Sequence, residues 1–126
     1  MDWKIELLAV PVSDIDRAKE FYVDKLGFNA DHDLAFENEG VSGRFVQLTP
    51  PGSACSILLD TDMTPMQPGQ LKGIQCVVAD ADQALADLAR AGVKADGVHE
   101  YPWGRFVFLD DPDGNSWALQ QLVRPT

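Results

Sequence analysis

The sequence predicts an α+β fold built from two tandem βαβββ modules. Two amphipathic helical segments are each preceded by a short apolar run and followed by a strand–turn–strand pattern. Residues 12–18 and 78–84 also align at an offset of 66 positions, with four identities in seven residues. Two unrelated helix starts could share four identities, but the hairpin pattern after both helices favours an internal repeat.

The first helix is expected at about residues 14–26. Ser13 can cap its N-terminus, and Asp16 partly completes a capping box. Gly27 is expected to end the helix. The apolar residues that recur at helical spacing are Ile15, Ala18, Phe21, Tyr22 and Leu26. The second helix is expected to start at residues 80–83 and to end at Gly92. Its apolar stripe consists of Ala84, Leu85, Leu88 and Ala91.

Strands are expected on both sides of each helix. One precedes each helix, at residues 5–12 and 73–78. The hairpin strands are residues 43–49 with 55–59 and residues 105–109 with 116–121, joined by turns rich in Pro and Gly. The remaining strand of each module is expected around residues 33–36 and 98–101. We therefore expect one domain over residues 1–126, with module one at about 1–60, a linker at about 60–71 and module two at about 72–126.

Composition excludes several classes of partner. The formal net charge is −10, and no cluster of Lys or Arg interrupts it, so neither nucleic acid nor an anionic membrane surface is an expected partner. No apolar run is long enough to cross a bilayer, and the first residues lack the layout of a signal peptide. Cys55 and Cys76 lie in apolar runs and are interpreted as core thiols of a cytoplasmic protein, with a disulfide between them as the alternative.

Four short motifs stand out along the chain, namely Val-Ser-Asp-Ile at 12–15, Phe-Tyr at 21–22, Leu-Gly-Phe at 26–28 and Asp-Pro-Asp-Gly-Asn at 111–115. Together with the repeated modules they resemble the vicinal-oxygen-chelate superfamily, which includes glyoxalase I, extradiol dioxygenases, and fosfomycin- and bleomycin-resistance proteins. The resemblance implies strands that form a cupped mixed sheet around a cavity. It also implies a homodimer in which both subunits often complete the cavity.

In metal-dependent members of this superfamily, four inward-pointing residues hold a divalent ion. The alignment of motifs places these positions at Leu7, Leu58, Gly73 and Ala118, none of which can bind a metal. A one-residue slip would bring in Glu6, but one carboxylate cannot form a site that needs about three protein ligands. We therefore expect no metal and no cofactor. His32 and His99 are expected to be solvent-exposed in loops.

Strand alternation assigns a second set of residues to the cavity face. If Leu7 marks that face, the amides of Gln47, Gln75 and Gln120 lie on it as well. The alternative is that these glutamines face solvent on an open sheet. The Pro- and Gly-containing loop at 101–105 adds two aromatic rings and one guanidinium that could bind a planar ligand. The alternative is that the Trp covers the core edge and the Arg pairs with an acidic residue. The complete predicted ligand set is Leu7, Phe45, Gln47, Leu58, Gln75, Tyr101, Trp103, Arg105, Ala118 and Gln120.

The functional prediction is metal-independent binding of a hydrophobic or aromatic small molecule, including drug sequestration as in bleomycin-resistance proteins. The sequence shows no Ser-His-Asp or Cys-His arrangement and no phosphate-binding loop, so no catalytic residue is assigned. The alternatives are a metal-free lyase or isomerase of glyoxalase descent, and an interaction subunit whose cavity is filled by side chains.

Overall fold

The computed structural model describes residues 1–123, and the chain divides after Pro68 into two compact units. The first unit contains β1 (Leu7–Pro11), α1 (Ile15–Lys19), a π-helical segment (Glu20–Lys25), β2 (Asn29–Asn38), β3 (Val41–Thr49) and β4 (Ser56–Asp60). Its four strands form a mixed sheet in the order β1-β4-β3-β2. β1 runs parallel to β4, and the other pairs are antiparallel.

The second unit repeats this arrangement. It contains β5 (Ile74–Val77), α2 (Ala81–Arg90), β6 (His99–Tyr101), β7 (Gly104–Asp110) and β8 (Ser116–Leu122). The strand order is β5-β8-β7-β6, with β5 parallel to β8 and the other pairs antiparallel. The α+β class and the two tandem βαβββ modules are therefore confirmed.

Both helices start at an aspartate. The carboxylate of Asp14 accepts a hydrogen bond from the Arg17 backbone N–H at 3.1 Å, and that of Asp80 accepts one from the Gln83 N–H at 3.1 Å. Each satisfies a backbone donor that the first helical turn leaves free. The predicted Ser13 cap is wrong, because Ser13 lies one residue before the capping position and instead accepts a bond from the Arg17 side chain.

The first helix reaches its predicted end only by changing type. The α-helix stops at Lys19, and a π-helical segment continues to Lys25. The Leu26 N–H donates to the Phe21 carbonyl at 3.1 Å, which is the wider spacing of a π-turn. Tyr22 in this segment is 0% exposed and lies 5.5 Å from the Phe28 ring. The apolar pattern therefore predicted the buried side but not the change in pitch.

Strand alternation places one side of each sheet against its helix. In the first unit, α1 lies on the side of Asp33 and Arg44, which bind Lys19 and Asp16 of that helix. The fully buried strand residues on this side are Val10, Val46, Leu48 and Leu59. In the second unit, the corresponding side carries Val107, Leu109 and Trp117, all at most 4% exposed. Leu8 lies on the same side as Val10 but is 43% exposed, because β1 is an edge strand.

The part of the chain that the structure describes contains no helix that is long and apolar enough to span a membrane.

Candidate functional site

The side of the second sheet that faces away from α2 carries a continuous aromatic surface. We call it the aromatic face and define it by His99, Tyr101, Trp103, Phe106 and Phe108. The rings of Tyr101 and Trp103 are stacked, with centroids 5.4 Å apart and an interplanar angle of 15°. Tyr101 also meets Phe106 edge-on at 5.4 Å, and Phe106 stacks on Phe108 at 5.8 Å. The four contiguous rings form a surface suited to another planar ring.

Exposure differs systematically across the aromatic face. Phe106 is 5% exposed and anchors the surface, whereas Tyr101 is 43% and Trp103 62% exposed. Large aromatic side chains normally bury most of their area in a folded protein, so a cluster of half-exposed rings marks a candidate binding surface. The turn between β6 and β7, which carries Trp103, therefore presents its ring to solvent while the neighbouring rings fix its orientation.

A chain of amides runs beside the rings. The Gln120 side chain is 7% exposed, and its Nε2 donates to the Trp103 carbonyl oxygen at 3.1 Å. Because that carbonyl can only accept, the Gln120 Oε1 faces the other way and accepts from Gln75 Nε2. Gln75 is exposed and forms the outer end of this series of amide groups. Gln120 therefore positions the turn, while Gln75 offers a free carbonyl oxygen to a ligand.

Gly104 allows this close packing. A Cβ at this position would lie 2.8 Å from the Gln121 carbonyl oxygen and 2.9 Å from Gln120 Nε2. Since the first of these is a backbone atom, it cannot move aside easily. The turn can approach β8 closely enough for the bond between Trp103 and Gln120 only with glycine here.

The structure does not bring Arg105 to the aromatic face. Its side chain lies on the opposite side of β7, where Nη1 donates to Asp82 of α2 at 2.9 Å and Nε to Glu100 at 3.1 Å. The Arg105 guanidinium lowers the pKa of Asp82 and is itself held charged. Alternation along β7 explains the placement, since Arg105 and Phe106 must point to opposite sides. Arg105 therefore pairs with acidic residues, namely Asp82 and Glu100, which is the alternative that the sequence left open.

The other predicted ligand residues of the second unit lie on the side of the aromatic face. Ala118 faces Gln75 and Phe108 in the sheet register and is 7% exposed. Gln120 faces Phe106. The six ligand residues predicted in this unit are Gln75, Tyr101, Trp103, Arg105, Ala118 and Gln120. All except Arg105 lie on the same side of the sheet.

The predicted residues of the first unit share the open side of its own sheet. They are Leu7, Phe45, Gln47 and Leu58. Gln47 Nε2 donates to the Ser56 hydroxyl at 3.1 Å, and Thr49 Oγ1 lies 2.7 Å from the same hydroxyl. Thr49 is also hydrogen-bonded to Asp31. The Gln47 amide on this side is therefore already engaged within the sheet.

Both histidines lie in strands, so their predicted placement in loops is wrong. His32 is part of β2 and His99 begins β6. The His99 Nε2 is 2.9 Å from Asp96 Oδ1, and its ring lies 5.3 Å from that of Phe108. This bond lowers the pKa of Asp96. Sequence reasoning missed His99 because β6 is only three residues long and shows no clear alternation.

The donor set does not fit a metal at the position where the superfamily holds one. The four aligned positions carry Leu7, Leu58, Gly73 and Ala118, which have no ligand atoms in their side chains. Within residues 1–123, no group of three or more His, Cys, Asp or Glu side chains is arranged to hold an ion.

Comparison with known proteins agrees with the architecture. Residues 4–119 match the Glyoxalase/Bleomycin resistance protein/Dioxygenase superfamily. The structure is similar to that of TnmS3, an antibiotic binding protein from Streptomyces sp. CB03234, with 38% identity, a TM-score of 0.86 and coverage of 97% of this chain and 98% of that one. A glyoxalase/bleomycin resistance protein from the same organism is 40% identical, with a TM-score of 0.80 and coverage of 94% and 100%.

An uncharacterized protein of Shewanella frigidimarina (strain NCIMB 400) is 32% identical, and the match covers 97% of this chain and 96% of that protein. The match over residues 4–119 spans most of the 126 residues. The chain therefore belongs to the Glyoxalase/Bleomycin resistance protein/Dioxygenase superfamily.

Proposed function

We propose that this protein binds an aromatic small molecule on the aromatic face and thereby sequesters it. The observation that carries the proposal is the exposed stack of Tyr101 and Trp103 on a sheet side that no helix of its unit covers. A planar ligand can extend this stack, while the free amide oxygen of Gln75 gives one directional contact. An apolar surface with a few oriented polar groups is typical of small-molecule sites.

The similarity to TnmS3 supports a binding role, because that protein is described as antibiotic binding and is 38% identical over nearly the full length. Drug sequestration is therefore the specific form of binding that we propose. It requires affinity alone, and we propose that it is metal-independent because the four aligned positions offer no ligand atoms.

A second candidate function is a metal-free lyase or isomerase reaction. The observation in its favour is the pair of Asp96 and His99, since a carboxylate-oriented imidazole is a common general base. Incubation of the protein with a ligand found by binding, followed by mass analysis of that ligand, separates the two functions. Sequestration predicts an unchanged ligand, and conversion to an isomer or a cleaved product would establish the enzyme.

The binding proposal can be tested by thermal shift. We expect planar aromatic compounds such as acridine or β-naphthol to raise the melting temperature, because a ligand that binds only the native state stabilises it by mass action. Divalent metal ions and chelator, measured in parallel, should produce no shift. A shift with a metal ion that chelator reverses would contradict metal-independent binding.

The Trp103→Ala variant locates the site. Loss of the stacked indole should weaken binding of the same aromatic probe by about ten-fold or more, as measured by calorimetry. Met63→Ala is the control, because Met63 is 49% exposed but lies outside both sheets. Equal affinity in wild type and Trp103→Ala would show that the ligand binds elsewhere.

We also propose that the protein is a cytoplasmic homodimer. Cys55 and Cys76 are not joined in a disulfide, which supports a reducing compartment. The support for a dimer is an apolar strip at the start of the chain, where Trp3 is 84% and Ile5 70% exposed beside the edge strand β1. Exposed apolar strips of this kind often mark protein interfaces.

Light scattering after gel filtration tests the dimer. The monomer mass is 13.8 kDa, and we expect wild type to elute at about twice that value. A Trp3→Ser, Ile5→Ser double variant should elute as a monomer. A monomeric wild type would overturn the dimer without affecting the binding proposal.

A further inference from the structure

The ring nitrogens of His99 are chemically distinguished by their surroundings. Nε2 lies 2.9 Å from a carboxylate oxygen of Asp96, and the pKa of that carboxyl is lowered by this bond. The Asp96 carboxylate is therefore ionised at neutral pH and can only accept. The neutral imidazole must then carry its proton on Nε2, which leaves Nδ1 as a hydrogen-bond acceptor.

The Nδ1 acceptor is not used within the structure. Of the residues at 1–123, none donates a hydrogen bond to it, and the His99 side chain is 39% exposed. The ring itself is fixed, because it lies 5.3 Å from Phe108 and sits opposite Phe106 in the register of β6 and β7. A fixed and accessible acceptor thus borders the rings that we propose as the ligand platform.

We propose that His99 is a specificity-determining residue that selects aromatic ligands carrying a hydroxyl group, whose O–H donates to Nδ1. This inference rests on the proposed binding function and narrows its ligand class to phenolic compounds. Gln75 contributes a second acceptor on the same sheet side. A ligand hydroxyl beside Phe108 can donate to Nδ1, whereas an ether or methyl group at the same place leaves this acceptor desolvated and unpaired.

The charged surroundings of His99 are consistent with this role. Asp96, in the loop before β6, is the charged group in contact with it. Glu100 and Arg105 lie on the opposite side of the sheet and pair with each other. On the side of His99, β6 adds the Tyr101 hydroxyl, and β7 adds Asp110 two residues beyond Phe108.

A matched pair of probes tests the inference, namely β-naphthol and its methyl ether, with affinities measured by calorimetry. Wild type should bind the naphthol roughly three- to ten-fold more tightly than the ether at neutral pH. The His99→Phe variant keeps a ring against Phe108 but lacks the acceptor, so the ratio of affinities should fall to about one.

Asp96→Asn probes the tautomer directly. An amide can donate as well as accept, so it no longer fixes the proton on Nε2, and the preference for naphthol should decrease. Asp24→Asn is the matched control, because Asp24 is an exposed carboxylate in the first unit, and it should leave the ratio unchanged.

The outcomes separate the two proposals. If both probes bind wild type equally, or if His99→Phe keeps the preference, the role of His99 is overturned while the binding function stands. If neither probe binds, the aromatic binding function itself fails, and the inference fails with it. Circular dichroism spectra of the variants confirm that a loss of preference does not reflect unfolding.

Discussion

At the scale of single residues, the buried carboxylate of Asp111 holds the turn before β8. Its Oδ1 accepts from the backbone N–H groups of Asp113 and Asn115 at 3.0 and 2.9 Å, and its Oδ2 accepts from the Asn115 amide at 2.8 Å. Asn115 is 0% exposed, and its Oδ1 accepts from the Leu71 N–H at 3.1 Å. Asp111 and Asn115 therefore stabilise both this turn and the segment that precedes β5.

Replacement of Asp111 should destabilise the folded protein. We expect Asp111→Ala to lower the free energy of unfolding by about 2–4 kcal/mol, because it leaves several buried donors without partners. Urea denaturation measures the change. The neighbouring Asp110→Ala should cost less than about 0.5 kcal/mol, since Asp110 is exposed. Similar losses for both variants would mean that the hydrogen bonds of Asp111 do not stabilise the fold.

The sequence predicted the orientation of some side chains of the second sheet and missed others for a physical reason. Alternation placed Gln75 and Gln120 on the same side, as the structure does, because both lie on strands whose apolar pattern is clear. The loop at 101–105 has no such pattern, so its residues could be grouped only by chemistry. That grouping placed Arg105 with Trp103, although the strand already begins at Gly104 and turns the Arg105 side chain toward α2.

At the scale of elements, two charged pairs join α1 to the strands β2 and β3, and a third joins the two strands to each other. Lys19 Nζ donates to Asp33 at 2.7 Å, while Arg44 donates to Asp33 at 2.8 Å and to Asp16 at 2.7 Å. The Arg44 guanidinium, followed by the Lys19 ammonium, holds the pKa of Asp33 well below its ordinary value. β2 is exposed along its whole length, so these contacts help to fix it to the rest of the unit.

This network should make the stability of the fold depend on pH in the acid range. The pKa of Asp33 is lower in the folded state than in the unfolded state, where it is about 3.9. The ionised carboxylate therefore contributes its full share of the folding free energy above the unfolded pKa, and this share is lost as the pH falls through the folded pKa. Asp33→Asn should destabilise the protein by roughly 1 kcal/mol at neutral pH, since the network is partly exposed. The difference in melting temperature between wild type and variant should begin to shrink as the pH falls below about 4 and should decrease further toward the folded pKa. A difference that stays constant with pH would contradict this account.

The helix starts provide a second test at this scale. Asp80→Ala should cost about 1 kcal/mol of stability, because it removes the acceptor for the Gln83 N–H. Asp80→Asn should retain most of the stability, since asparagine caps helices about equally well. Chemical denaturation of both variants gives the comparison, and equal destabilisation would show that charge rather than capping matters at Asp80.

At the scale of the whole molecule, the internal repeat extends from sequence to strand register. Phe45 faces Leu34 in the first sheet as Phe106 faces His99 in the second. Phe36 faces Gly43 as Tyr101 faces Gly104. The two open sides nevertheless differ in ring packing. Rings stack in parallel in the second at Phe106 and Phe108, whereas Phe45 in the first meets the His32 ring tilted at 6.2 Å. Our functional proposal therefore concerns the second unit alone.

Apolar periodicity and turn residues were sufficient to predict the tandem modules, since both reflect local geometry. The extent of β2 was not predictable in this way. Only residues 33–36 were expected, yet the strand spans Asn29–Asn38. Its residues are exposed on both sides, so they show no apolar alternation, and pairing with β3 defines the strand instead. The composition of the aromatic face likewise depends on pairing between β6 and β7, which brings His99 beside Phe108.

The most direct test of aromatic binding uses the three tryptophans as internal reporters in a nitrogen–proton correlation NMR titration. Trp103 lies in the aromatic face, Trp117 is 2% exposed on the opposite side of the sheet, and Trp3 is 84% exposed near the N-terminus. As an aromatic probe such as β-naphthol is added, the indole N–H signal of Trp103 should shift and saturate while those of Trp117 and Trp3 remain nearly unchanged. Saturating shifts at Trp3 or Trp117 with none at Trp103 would contradict the proposed site.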